Sequence, residues 1–122
     1  MSGRIAIREG ALVDEPGVLR LAPVWAQPAT EDSLRDDFRA ALEQAAAQGA
    51  RVVALAVEAG GGLPLQRRAE LLFDEARRHL DGATAIEEIR LVIAGEPAYR
   101  VFESVQDAAR IAAQMERLRR SR

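Results

Sequence analysis

Two short stretches decide what this chain can fold into. Arg51 to Glu58, reading RVVALAVE, lies between a helix stop and a glycine loop, and Ile89, Leu91 and Ile93 form a second apolar, β-branched run with Val92 on its opposite face. Runs this short and this apolar read as strands, the first of them interior. Each is flanked by segments with helical spacing. Leu34, Phe38, Ala41, Leu42 and Ala45 make one stripe, with Thr30 placed to cap, Glu31 and Asp32 set against the helix dipole, and Gly49 as the stop. Pro64 opens a second helix, lined on its buried side by Ala69, Leu72, Phe73, Ala76 and Leu80, and Asp81-Gly82 ends it. Gly95-Glu96-Pro97 leads into a third, on which Val101, Val105, Ala108, Ala112 and Met115 share a face. Ser104 and Asp107 can cap a helix start there, so a break near Ser104 stays open.

Strands alternating with such helices require right-handed crossovers and a mainly parallel sheet. Upstream, Ile5 and Ile7 alternate with Arg4, Ala6 and Arg8 as in an edge strand. Asp14-Glu15-Pro16-Gly17 has turn chemistry, and Val18 to Trp25 reads as a more deeply buried strand that Pro23 ends. Joined as a hairpin, these two make the sheet mixed. The expected fold class is α/β, a three-layer sandwich with a mixed, mainly parallel sheet of about four strands, in a single domain over residues 1–122.

Composition removes whole classes of chemistry. The chain has no Cys, Lys or Asn and a single His, His79. Disulfide frameworks, thiolate metal sites, Schiff-base lysines, the P-loop lysine and multi-histidine metal sites are therefore excluded. With 17 basic and 19 acidic residues the net charge is −2, which favours neither nucleic acid nor an anionic membrane. No apolar run approaches the ~18 residues of a spanning helix, the N-terminus has no signal-like stretch, and the expected location is cytoplasmic.

Against that background the chain resembles, from Gly3 to about Val105, the C-terminal half of a macro domain, the ADP-ribose-binding α/β module. The residues that carry the resemblance are Ala22-Pro23-Val24-Trp25, the Leu34 to Ala47 helix, Val52 to Val57, Gly62-Leu63-Pro64, and Tyr99 with Phe102; residues 106–122 extend the last helix beyond it. The resemblance implies an N-terminally truncated, degenerate member. The Asn tied to hydrolysis in some members has no counterpart here, and Val57-Glu58-Ala59 stands where a Ser-Thr-Gly or Gly-Thr-Gly start is usual. It also implies that a central strand is missing between Val18–Val24 and Val52–Val57, so that these two close up and pair or another chain fills the gap. The outer edge at Ile89 to Ile93 would then lose its neighbour, and a homodimer through that exposed sheet edge is expected.

The candidate phosphate loop is Gly60, Gly61 and Gly62, between a strand and a helix, with Arg67 and Arg68 as attracting cations and Glu58 as a repelling anion. Three glycines also permit a tight strand-to-helix turn with no ligand. His79, at the margin of an apolar face, reads as a packing or capping residue. Trp25 and Phe38 read as core, neither Asp36-Asp37 nor Glu87-Glu88 reads as a metal site, Asp36 and Asp37 read as a solvated face, and the four arginines from Arg117 to Arg122 read as a solvated helix end. The expected function is a non-catalytic interaction or assembly module with an impaired or absent ADP-ribose site, no catalytic residues, no metal and no cofactor. The alternative is a binding module for ADP-ribose or another phosphate-containing nucleotide metabolite. A hydrolase would need carboxylates such as Glu58 to act without the family's Asn.

Overall fold

Seven elements follow one another as β1 (Arg4–Glu9), β2 (Val18–Leu21), α1 (Glu31–Ala47), β3 (Val52–Val57), α2 (Leu65–Asp81), β4 (Glu88–Ile93) and α3 (Glu96–Arg120) in a computed structural model that describes residues 3–21, 30–57 and 62–121. The strands form one sheet in the order β1-β4-β3-β2, and every pair is parallel. The α/β class, the strand count and the strand–helix alternation are as the sequence indicates.

The local signals act where they were read. Thr30 caps α1 in a reciprocal capping box with Ser33. Pro64 precedes α2 and Pro97 opens α3. α3 runs without a break through Ser104.

One apolar core holds the fold together. Val53, Leu55 and Val57 of β3 and Ile89, Leu91 and Ile93 of β4 are almost wholly buried against Leu34, Phe38 and Leu42 of α1, Ala69, Leu72 and Ala76 of α2, and Ala98 and Phe102 of α3. Phe73 and Phe102 meet at a centroid distance of 6.0 Å and join α2 to α3. Because side chains alternate across a strand, the residues between these point to the other face of the sheet. There, the buried Glu88 takes hydrogen bonds from Arg4 and Arg90, and Arg90 also reaches Glu15 at 2.8 Å. All three helices thus share one face. Among the described residues, the other face carries no helix, and the connector 10–17 meets it through Glu15 on Arg90.

The sheet corrects the hairpin. The turn itself is present, with Val18 N–H donating to Glu15 O and Gly17 at φ +82°, as the third position of a type II turn requires. Yet β1 and β2 lie at opposite edges. A turn fixes its own four residues and not what its flanks pair with. Ile5 aligns with Ile89 and Ile7 with Leu91, which extends the core face beyond β4. The eight residues 10–17 can span about 26 Å, enough to cross three strand spacings totalling about 14 Å while returning to the start of β2.

Two further expectations change with it. β4 is not an edge, because β1 covers its outer side, so the edge at Ile89 to Ile93 through which a homodimer was expected does not exist. β2 is a half-buried edge strand, not a deeply buried one. It pairs directly with β3, Val18 beside Val52 and Leu19 beside Val53, which is the first of the two ways of closing the gap. Ala22-Pro23-Val24-Trp25 lies outside the described residues.

The β1 edge is partly closed. Its even-numbered residues bond to β4, beginning with Arg4 N–H on Glu87 O. Of the outward carbonyls, Gly3 O accepts from Arg77 and Ile5 O from Gln106 Nε2 at 3.1 Å. Side-chain donors thus occupy acceptors that an added strand would need.

Candidate functional site

In an open parallel sheet, ligands bind outside the carboxyl ends of the strands. Here that end carries Val57 and Ile93, the ends of β3 and β4, and the starts of all three helices. Gly62 and Pro64 are exposed on the approach to α2, and Pro64 lends it no side-chain cap. Gly60 and Gly61, with Glu58 and Ala59, lie outside the described residues.

Arg67 and Arg68 leave α2 about 100° apart and meet different surroundings. Arg67 extends to the start of α1, where Nε and Nη2 donate to the two carboxylate oxygens of Glu31 at 2.9 and 2.8 Å, and Nη1 donates to Glu70 at 3.1 Å. The bond from Arg67 holds the Glu31 carboxyl below the usual carboxylate range, and the two carboxylates raise the Arg67 guanidinium above its own. Arg68 instead turns inward, is 3% exposed, and donates from Nη2 to Leu63 O at 3.1 Å. Burial lowers its pKa. The two cations expected to serve one anion are thus divided between an intramolecular clamp and a buried position bonded to Leu63.

His79 is remote from this end, about 21 Å along α2 from Leu65 at ~1.5 Å per residue. Its Nε2 lies 2.7 Å from Thr84 Oγ1, and burial pushes its pKa down. It packs, as read. Phe38 is core, and Asp36 and Asp37 are exposed. Glu87 pairs with Arg51 at 2.6 Å, whereas Glu88 is held on the far face of the sheet. Arg119 and Arg120 pair with Glu116. Among the described residues, no three His, Cys, Asp or Glu side chains gather to hold a metal ion, and no helix is long and apolar enough to cross a membrane.

Sequence reasoning missed a second ionic cluster. Glu75, 2% exposed, accepts from Arg39 Nη2 at 2.8 Å and Arg35 Nη1 at 3.1 Å, and Arg35 also reaches Asp74 at 2.8 Å. The signal was a carboxylate interrupting the buried side of α2 next to Ala76, with arginines one turn apart on α1. A groove of about 740 Å³ opens elsewhere, between α2, α3 and the start of β1, lined by Gln66, Phe73, Arg77, Val105, Ala109 and Ala113 among others.

With this geometry, the chain has a macrodomain-like fold. It is similar to the Trypanosoma brucei macrodomain in complex with ADP, at 26% identity and TM-score 0.56, over 68% of this chain and 36% of that one. It is similar also to the Oceanobacillus iheyensis macrodomain with ADP, at 16% identity and TM-score 0.59, over 71% of this chain and 47% of that one. A glycine-to-valine variant of the latter macrodomain with ADPR matches at 16% identity and TM-score 0.58, over 71% of this chain and 48% of that one. The chain spans less than half the length of each of these structures. No protein-family model and no curated protein matches it.

Proposed function

We propose that this chain is a non-catalytic, macrodomain-like interaction or assembly module whose anion site is impaired. The observation that carries the reading is the Glu31 clamp on Arg67, which spends the guanidinium's two-pronged face on a carboxylate of the same chain. A phosphate arriving there must displace a preformed ion pair and meet the negative charge of Glu31. Chemistry is scarce as well: the sequence has no Asn, and its single imidazole sits at the far end of α2 and is bonded to Thr84. The absence of Cys fits a reducing, cytoplasmic setting.

A second reading keeps the site alive. Two macrodomain structures similar to this chain contain ADP and one contains ADPR, and Arg68 is a buried cation bonded to Leu63 O, one residue beyond Gly62. Titration calorimetry with ADP-ribose and ADP separates the two. The impaired site gives no saturable heat at about millimolar ligand, whereas a micromolar Kd establishes the binding module. Release of ADP-ribose from a modified protein would overturn both readings in favour of a hydrolase.

A further inference from the structure

α3 is longer than the body it packs on. Its 25 residues span about 37 Å, against about 26 Å for the 17 residues of α2. Only the first part is anchored, through Ala98, Tyr99, Phe102 and Val105. From Asp107 onward every described residue but Glu116 is exposed. Four large apolar side chains stand out in solvent among the described residues, and three of them, Ile111, Met115 and Leu118 at 58%, 58% and 62% exposure, lie in this projection. With Ala108 they recur at intervals of three and four, which places them on one seam of the helix.

We propose that the projecting half of α3 pairs antiparallel with the same segment of a second copy. Size argues for this register. Antiparallel packing that sets Ile111 beside the partner's Met115 also sets Ala108 beside the partner's Leu118, so large meets large at the centre and small meets large at the ends. Charge argues for the direction. The seam is flanked by Glu103 and Asp107 toward its start and by Arg117, Arg119 and Arg120 toward its end. Antiparallel pairing brings Arg119 level with the partner's Asp107, whereas parallel pairing stacks the arginine-rich ends on each other. It also leaves the two globular bodies at opposite ends of the helix pair. The side-chain donors already seated on the β1 edge favour this surface over strand addition there. The inference stands whether or not the anion site binds.

Sedimentation equilibrium tests it. The mass is expected to rise from 13.3 kDa toward twice that value between about 10 µM and about 1 mM, because four layers of a helix pair make a small interface. The double variant Ile111→Glu, Met115→Glu changes only exposed positions, so it is expected to keep the parent circular dichroism spectrum and to remain monomeric throughout. Orientation has its own readout, since the chain has no cysteine. Gln114→Cys is expected to form a disulfide-linked dimer on mild oxidation, and Leu118→Cys, which meets its own counterpart only in parallel pairing, is expected to lag at least tenfold. A monomer at every concentration, a double variant that still associates, or a faster Leu118→Cys crosslink would each overturn the proposal; the first would leave the seam to a different polypeptide.

Discussion

The carboxylate of Glu31 and the guanidinium of Arg67, 36 residues apart, are joined by two hydrogen bonds of 2.8 and 2.9 Å across the starts of α1 and α2. Removing the charge of Glu31 while keeping its shape isolates the effect of this pair on anions. Glu31→Gln is expected to give ADP or ADP-ribose binding at least tenfold tighter than the parent chain by calorimetry, with an unchanged melting temperature, because both side chains are over 40% exposed. Equal silence from both proteins would remove the clamp as the observation that carries the proposed function.

Glu75 makes the fold sensitive to acid. Hydrogen bonds from Arg39 outweigh the opposing effect of burial and, with those from Arg35, hold its carboxyl below the ordinary range. A carboxyl whose pKa is lower in the folded chain contributes stability above its unfolded value and loses it as pH falls through the folded one. The parent is expected to lose melting temperature more steeply than Glu75→Gln below about pH 4. At neutral pH, Glu75→Gln is expected to be the less stable by about 1–3 kcal/mol, since it weakens the bonds to both arginines at a buried position. Parallel pH profiles for the two proteins would remove Glu75 from the account.

Gly3 is required by the space beside it. A Cβ there falls inside contact distance of the Glu87 carbonyl, which accepts the first hydrogen bond of the β1–β4 ladder. Gly3→Ala is expected to cost about 1–3 kcal/mol in urea unfolding, because backbone rather than a flexible side chain must give way. Gly82→Ala, whose nearest neighbour is His79 O at 3.6 Å, is the control expected to stay within ~0.5 kcal/mol.

The two halves of α3 are expected to respond differently to truncation. Phe102→Ala empties a fully buried site against Phe73 and is expected to destabilise by about 3–5 kcal/mol. Met115→Ala, in dilute protein, is expected to change stability by less than ~0.5 kcal/mol. Comparable losses at both positions would show that the projecting half packs on its own body.

What the sequence discloses here is mostly local. The Thr30 cap, the stop at Gly49, the Pro64 start and the stripes of α1 and α2 are set by residues within a turn or two of one another, and they are where the sequence places them. The partner of β1 is not a local property. The Pro16-Gly17 turn would serve a hairpin or a crossing connector equally well, and the choice depends on Ile89 and Leu91, more than eighty residues downstream. The site behaves in the same way. Arg67 and Arg68 are adjacent in sequence, and their separation into a clamp and a buried position depends on Glu31 and on the path of the chain near Leu63. Glu75 was legible only as an interruption, since the arginines that neutralise it belong to another helix.

Because the first strand has no seat until β4 exists, chain order and assembly order diverge. The register that ties Arg4 to Glu88 spans most of the polypeptide, and closing so long a loop costs entropy before any contact repays it. β1 is therefore among the last of these strands to dock. Until then its isoleucines stay in water.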